Sequence, residues 1–408
     1  MAGATIDHLV SVTVFIGAIL LFISLFNQTI QTAIIYQRHR YIASKCTDLL
    51  DNMMLNPGYP MNWSISGEDP TSFGLQDPEF TQYRLSPFSL MRLNYAPGTP
   101  VYYTKTGQWY SNITMGFGKS LLVPYAQAVN YSTATRLLGV NNTFGFRLTI
   151  SPIITISISE VIPNPLKVSV NVLGAGFPLA DANVSYCFIT VKATGGSQSY
   201  PSYTVGYGAN MTDDEGKTLL DFPSFNGAEE SYVIIAYAHI SGLVGVGYHE
   251  SVRYVESYVV PFISDFETRT VLIAHSWDVH GGSSPAEIAY NATFVLLTED
   301  FTLREAPLEN STWRIGKINY GEGKPYKNIT IPTYSPGLLV ITYRKSAQES
   351  GIVLMPWGIS TMAFPVEFGG DPIGKEWVAT DTRQVLVNGI AYQARLALWS
   401  LEGYQVIS

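Results

Sequence analysis

The chain has 408 residues, of which only 14% are charged, and its formal net charge is −8. The charge balance argues against nucleic acid as a partner, because phosphate binding requires a clustered basic face and no run of Lys or Arg occurs. Two cysteines, Cys46 and Cys187, are too few for a disulfide framework, and we expect both to be small buried side chains.

The first 55 residues predict a membrane helix that continues into a stalk. Residues 9–26 form an uncharged, mainly apolar run that reaches the lower end of the length a spanning helix needs. No secretory-type cleavage site follows this run, so we expect the segment to be retained. Neither Pro nor Gly interrupts residues 18–55, and one helix of roughly 50 residues is about 75 Å long.

Apolar side chains recur every seven residues along the stalk, at Ile35, Ile42 and Leu49. Such a stripe packs either against identical stalks in a filament or against the protein's own head. A buried Asp7 requires a partner, which the amino terminus or a neighbouring subunit supplies. The residues predicted for an assembly helix are Asp7, Phe15, Ile16, Leu20, Phe26, Ile35, Ile42 and Leu49.

The rest of the chain is rich in Tyr, Gly and Pro, which is typical of short strands joined by turns. The expected fold class is mainly β, with a long N-terminal hydrophobic α-helix followed by β-sandwich (Ig-like) head domains. The helix and stalk take residues 1–55, and the helix-stopping segment Pro57–Gly58–Tyr59–Pro60 leads into a first β-rich region over 56–163.

Residues 163–165, Pro-Asn-Pro, predict a linker before a second unit. The spacing of strands and turns over 166–261 suits an antiparallel sandwich, and 262–408 forms a C-terminal β-rich domain. The final strands of that domain could pair with strands from residues 64–160. Such pairing makes the sandwich an insertion or a projecting module, and the sequence alone leaves it open.

Ten Asn-x-Ser/Thr sequons, including Asn27 beside the apolar run, predict an extracellular glycoprotein that carries N-linked glycans. The positive-inside rule points the other way, because Arg38, Arg40 and Lys45 follow the apolar run. We give more weight to the sequons, since these cations lie twelve or more residues beyond Phe26. The candidate glycosylation sites in the head are Asn62, Asn112, Asn130, Asn141, Asn183, Asn210, Asn291, Asn310 and Asn328.

The N-terminal 65 residues resemble archaeal type IV pilin-like proteins. The resemblance rests on Gly3–Ala4–Thr5–Ile6–Asp7 ahead of the apolar run, on the stalk, and on the exit turn Leu55–Asn56–Pro57–Gly58–Tyr59–Pro60–Met61–Asn62–Trp63. It implies a peptidase cut before the helix, and Asp7 as the acidic residue that registers neighbouring subunits if the mature chain begins at Gly3. Met1 and Ala2 lack the family's usual basic residue beside the cut, so an uncut, anchored chain is the alternative.

Residues 167–260 resemble the Ig-like domains of carboxypeptidase-regulatory or invasin type. The match is carried by Pro178–Leu179–Ala180–Asp181–Ala182–Asn183–Val184 and by the turn at 213–217. Domains of this kind are common in adhesins and stalks, and they imply no chemistry.

Catalytic and metal-binding signatures are weak. Residues 116–120 lack the first glycine of a P-loop, and the chain contains no Gly-x-Ser-x-Gly elbow. His275, Asp278 and His280 are candidate metal ligands if a bend brings them together. A strand that ends in a Gly-Gly turn explains the same residues without a metal. We therefore expect no enzyme activity, no cofactor and no metal, with a surface hydrolase built on the His275 cluster as the remaining catalytic alternative.

The sequence favours a structural cell-surface protein, a pilin-like subunit whose N-terminal helix packs into a filament core or membrane assembly. Its glycosylated β head would form the exterior and mediate adhesion, and its partners would be identical subunits, the membrane, and other cells or surfaces. The alternative is a monomeric, membrane-anchored receptor or adhesin whose Ig-like domains bind a surface ligand. In that case, polysaccharide contacts would come from Trp109, Trp313 or Trp357.

Overall fold

A computed structural model describes residues 2–80, 82–93, 99–113, 121–192, 200–227, 230–252, 258–281, 286–298, 302–318, 325–346, 349–358 and 364–401. Within these ranges the α-helices are α1 (Ala2–Leu55), α2 (Trp63–Ser66), α3 (Pro87–Met91), α4 (Tyr131–Leu137) and α5 (Ser276–His280). The strands of the first half are β1 (Arg84–Leu85), β2 (Val101–Tyr103), β3 (Gln108–Ile113), β4 (Leu121–Pro124), β5 (Phe144–Pro152), β6 (Ile154–Pro163), β7 (Leu166–Gly174), β8 (Phe177–Pro178), β9 (Asn183–Lys192) and β10 (Ser202–Met211). Those of the second half are β11 (Lys217–Phe222), β12 (Glu230–Ile240), β13 (Leu243–Ser251), β14 (Val259–Asp265), β15 (Thr270–His275), β16 (Ile288–Leu297), β17 (Leu303–Ala306), β18 (Ile315–Ile318), β19 (Tyr326–Thr330), β20 (Gly337–Arg344), β21 (Ser350–Trp357), β22 (Val366–Gly369), β23 (Ala379–Val387) and β24 (Ile390–Ser400).

The predicted fold class is confirmed, since one long apolar helix precedes a body made mainly of β-sheets. α1 runs without a break because no residue between 18 and 55 interrupts its backbone ladder, and it ends just before Pro57, which cannot extend it. Residues 6–41 of α1 project from the body with mostly exposed side chains, and residues 42–54 carry the face that packs on it.

The sheet that receives α1 has the strand order β1-β23-β24-β5-β22. β5 lies antiparallel to both β24 and β22, so residues 144–152 pair with residues from the end of the chain. This pairing answers the question that the sequence left open. The chain therefore leaves this sheet after β5, forms β6 to β21 of the other sheets, and returns to it at β22.

Two sheets, β10-β9-β12-β13 and β11-β7-β6, form the Ig-like sandwich between β5 and β14. Residues 163–165 do not form the expected linker. They form the turn of the β6–β7 hairpin, in which Pro163 pairs with Leu166. β6 thus belongs to the sandwich, and Ile154 is part of its core together with Val168. The unit therefore spans 154–251 and begins before the predicted boundary. The prediction was wrong because a Pro-Asn-Pro segment also makes a tight turn.

The sandwich is inserted and docked on the rest of the head. Along β12, Ile234 and Ala236 face the sandwich core. Val233 and Ile235 instead belong to the main core, the large cluster of buried side chains that also includes residues of α1, β20 and β21. A strand that is buried on both faces reads as a continuous apolar run, as Tyr232–Ile235 does.

The residues expected to form a single C-terminal domain, 262–408, contribute to three sheets. β14, β15 and β19 extend the sheet β19-β15-β14-β4-β3-β2, whose other strands come from residues 101–124. β16, β17, β18, β20 and β21 form the sheet against which the sandwich packs. Domain boundaries in this head therefore do not follow chain order.

Candidate membrane and assembly helix

The projecting part of α1 exposes a continuous apolar surface. The window that could cross a membrane has a mean hydropathy of 2.7 and is 0% buried. Residues 6–26 measure about 32 Å at the helical rise, close to the roughly 30 Å hydrocarbon thickness of a bilayer. Water hydrates such a surface at a cost of about 25 cal/mol for each Å² of apolar area. Lipid or other apolar helices would remove that cost.

The predicted assembly residues of the apolar run all lie on this surface. Phe15, Ile16, Leu20 and Phe26 are between 51% and 65% exposed. Asp7 is exposed at the start of the same segment. These side chains are therefore available to a membrane or to neighbouring subunits.

The heptad stripe is divided between two environments. Ile35 is 44% exposed, whereas Ile42 and Leu49 are buried against the protein's own head. Cys46, between them, and Leu50, directly after Leu49, are fully buried in the same core. Of the two interpretations of the stripe, docking on the head thus holds from Ile42 onward, and only its N-terminal part remains open to neighbours.

Polar contacts fix the height of the helix on the sheet. Asp51 accepts hydrogen bonds from Arg383 Nε at 2.8 Å and Nη2 at 3.1 Å, a bidentate pair. Thr47 Oγ1 donates to Asp381 Oδ2 at 2.7 Å, and Arg383 Nη1 donates to Asp381 Oδ1 at 2.8 Å. Burial raises the pKa of Asp381, but the hydrogen bonds from Thr47, the backbone N–H of Thr382 and Arg383 outweigh burial and hold that pKa below its ordinary value.

Cys46 is a donor within this interface. Its Sγ lies 3.5 Å from the carbonyl oxygen of Leu396 and 3.7 Å from that of Ala379. Burial, with the nearby charge of Asp381, raises the pKa of the thiol to about 11. The thiol is therefore protonated at neutral pH and unreactive while the helix is docked. Cys187 is separate and also buried, and its pKa is raised to about 12.

The exit turn is held by a buried arginine that the sequence did not single out. Trp63 Nε1 donates to the carbonyl of Pro57 at 2.8 Å, which closes the turn. Arg92 is 0% exposed and donates to the carbonyls of Trp63, Glu68 and Gln127, the last two at 2.8 and 2.7 Å. Burial lowers the pKa of Arg92 to about 10, so it remains charged at neutral pH.

The candidate metal ligands belong to a strand end and a short helix. His275 is buried at the end of β15, where its Nδ1 accepts from the backbone N–H of Trp277 and its Nε2 lies 2.9 Å from the carbonyl of Ala286. Asp278 and His280 follow in α5, which replaces the strand predicted here. In the described parts of the chain, no three His, Cys, Asp or Glu side chains are grouped as a metal site requires.

The sequons differ in exposure. Asn291 is half-buried in β16, where its Nδ2 lies 3.5 Å from the carbonyl of Pro201. Asn310 is also half-buried, and its Oδ1 accepts from Thr330. The side chain of Asn112 lies outside the described residues. The exposed sites are Asn27, Asn62, Asn130, Asn141, Asn183, Asn210 and Asn328.

The aromatic side chains proposed for ligand contact also separate. Trp357 is 0% exposed, packed on Phe88, and is therefore a core residue. Trp109 is 54% exposed and stands beside Tyr102, with ring centroids 5.2 Å apart. The side chain of Trp313 lies outside the described residues.

The fold and the helix together define a β-rich protein with an N-terminal apolar helix that is exposed over residues 6–38. No protein-family model matches the chain, and no curated protein matches it. Among solved structures, red sea bream transglutaminase is similar at 10% sequence identity, over 61% of this chain and 37% of that chain. The matched part is thus a little over a third of the transglutaminase, and the TM-score is 0.17.

Proposed function

We propose that this is a structural cell-surface protein, a pilin-like subunit that assembles through its N-terminal helix. The supporting observation is the continuity of α1, whose exposed apolar segment over residues 6–36 extends without a joint into a docked segment over 42–54. A helix anchored in this way holds the head at a set distance from whatever covers the apolar segment. The mechanism is association, with no catalytic step.

The assembly surface is confined to the projecting part of the helix. Ile42 and Leu49 are occupied by the head, so neighbouring helices would pack on residues N-terminal to about His39. Phe22 and Phe26 stack with ring centroids 6.3 Å apart and give this surface a bulky aromatic row. Asp7 would register the subunits, as the resemblance to pilin-like proteins implies.

Shearing of cells that make the protein tests this proposal. Long filaments that contain the protein are expected in the sheared fraction. Leu20→Lys should abolish them, because a cation at the centre of the apolar helix costs about 2.5–3.5 kcal/mol in an apolar environment. Leu20→Phe is the control, because it changes the size of the side chain but keeps it apolar, and this variant should retain the filaments. Recovery of wild-type protein only as detergent-soluble monomer would contradict filament assembly.

We expect glycan occupancy to follow exposure. Glycopeptide mass spectrometry of the protein from its natural cells should find glycans among the exposed head sequons and none on Asn291, whose amide is engaged beside Pro201. Asn328 serves as the matched control, since it is an exposed strand residue with the same Asn-x-Thr pattern. Modification of Asn291 with an empty Asn328 would show that exposure in the folded head does not govern occupancy.

The second candidate is a monomeric, anchored adhesin, favoured by the exposed Tyr102–Trp109 pair. Adjacent aromatic rings on a strand offer a flat apolar surface to sugars or proteins. Mass spectrometry of the N-terminus distinguishes the two candidates. A start at Gly3 or Ala4 supports a processed pilin-like subunit, and an intact Met1 or Ala2 supports the anchored adhesin.

A further inference from the structure

The connection between β22 and β23 carries an unusually exposed apolar side chain. Ile373 is 82% exposed, more than any other large apolar side chain that the structure describes. The loop around it is ordered, because the N–H of Ile373 donates to Asp371 Oδ1 at 2.9 Å and that of Lys375 donates to the carbonyl of Pro372 at 3.2 Å. An ordered loop thus presents an isolated apolar tip.

The contacts along β23 show where this loop lies relative to α1. Asp381 contacts Thr47, and two residues later Arg383 contacts Asp51, so β23 follows the helix in the same direction. Before β23, Trp377 stacks on His39 with ring centroids 4.2 Å apart and an interplanar angle of 6°. The loop that precedes Trp377 therefore lies on the side of the head from which α1 projects.

The length of the uncharged part of α1 matches a bilayer with its headgroups. No Asp, Glu, Lys or Arg occurs between residues 9 and 37, and these 29 residues span about 43 Å at the helical rise. A bilayer measures about 40–45 Å when its polar regions are included. With Asp7 at one surface, Arg38 reaches the other, and His39 with the stacked Trp377 follows immediately.

The surface of the head around this point is cationic. We call it the rim and define it by Arg38, Arg40, Arg136, Ile373 and Lys375, which are all exposed. Arg136 belongs to it because it shares a surface cavity with Phe144, which packs on Tyr41 of α1. Among the described residues, these four cations outnumber the two exposed carboxylates of the loop, Asp371 and Glu376, in a chain whose net charge is −8.

We propose that the rim rests on the membrane surface, with Ile373 inserted among the lipid headgroups and the rim cations bound to anionic headgroups. The inference rests on the membrane form of the proposed function, in which α1 is inserted in a lipid bilayer, and adds the lipid surface as a direct partner of the head. Cations beside an isolated apolar side chain are the combination that interfacial anchors use.

Fluorescence quenching in nanodiscs tests the contact with the full-length chain. Ile373→Cys and Leu20→Cys are each labelled with a fluorophore in nanodiscs of phosphatidylcholine and phosphatidylglycerol. The native Cys46 and Cys187 are 0% and 5% exposed and should remain unlabelled. Spin labels on lipid headgroups or on acyl chains then report the depth of each position.

Phe177→Cys is the matched control, because Phe177 is 74% exposed but distant from the rim. Two backbone hydrogen bonds show this distance. Ala175, two residues before Phe177, donates its N–H to the carbonyl of Ile153, and Ile153 donates its own N–H to the carbonyl of Ala391. Ala391 lies at the turn of the β23–β24 hairpin, the end opposite the rim. Headgroup spin labels are expected to quench position 373 at least about threefold more than position 177. The ratio should fall in nanodiscs of phosphatidylcholine alone.

The outcomes separate the two proposals. If acyl-chain labels fail to quench position 20, α1 is not inserted, and the membrane part of the proposed function falls together with the rim contact. If position 20 is quenched but position 373 matches position 177, only the rim contact is overturned. Self-quenching between labels at 373 would show that a second copy covers the rim in place of lipid. A ratio that is independent of lipid charge would overturn the binding of the cations to anionic headgroups.

Discussion

Arg92→Met is expected to lower the free energy of unfolding of the protein by about 3–5 kcal/mol. Arg92 is 0% exposed and donates hydrogen bonds to three backbone carbonyls, one of them that of Trp63 in the exit turn. Methionine fills a similar volume but donates no hydrogen bond, so these carbonyls lose their shared donor inside the head. Denaturant unfolding of the full chain in detergent measures the loss.

Arg395→Met is the control for Arg92→Met, because Arg395 is exposed on β24 and its change should stay within about 0.5 kcal/mol. Arg92→Lys adds a second comparison. Lysine keeps the charge but lacks the planar fork that reaches acceptors in three directions, so most of the loss should remain. A loss below about 1 kcal/mol for Arg92→Met would show that other donors satisfy the carbonyls.

Leu50→Ala is expected to weaken the docking of α1 on the head by about 2–5 kcal/mol, since Leu50 is fully buried in the main core. The thiol of Cys46, one helical turn earlier, reports this opening because it reacts only when the helix leaves the sheet. Alkylation of Cys46 should accelerate by at least about 30-fold, since each 1.4 kcal/mol is a factor of ten.

Two comparisons show whether the effect of Leu50→Ala is local. Ile34→Ala changes a 51% exposed residue on the projecting part of the same helix and should leave the rate unchanged. Cys187 should remain as slow as in the wild type, because it lies in the sandwich strand β9, opposite Ile235 of β12, and not beside the β23 and β24 strands that cover α1. Equal acceleration at Cys46 and Cys187 would indicate global unfolding and refute a separate docking equilibrium.

The sequence predicted α1 because helix length depends on local signals, here the absence of Pro and Gly from residues 18–55 and the stop at Pro57. Its heptad stripe also identified buried positions, Ile42 and Leu49. Periodicity shows that one face of a helix is covered, but not by what. The covering strands, β23 and β24, lie more than 300 residues further along the chain, and no local pattern encodes that pairing.

Local ambiguity explains two differences between prediction and structure. Pro163–Asn164–Pro165 suits a linker and a tight turn equally, so the alternating strand before it was assigned to the wrong unit. Ser276–His280 forms a helix because His275 caps it by accepting from the N–H of Trp277, a contact that depends on the side-chain conformation. Arg92 gave no sequence signal, since a buried arginine looks like any surface arginine until its acceptors are known.

The double burial of the sheet β10-β9-β12-β13 has a consequence for engineering and for evolution. Val233 and Ile235 face the main core, so a graft of residues 154–251 onto another scaffold would carry a bare apolar face. Removal of those residues would leave a matching bare face on β20 and β21. Recombination that moves this Ig-like unit must therefore also move the sheet that contains β20 and β21, or replace the apolar residues of the exposed face with polar ones. This requirement distinguishes the unit from the independently folding domains of a modular surface protein, which can be exchanged one by one.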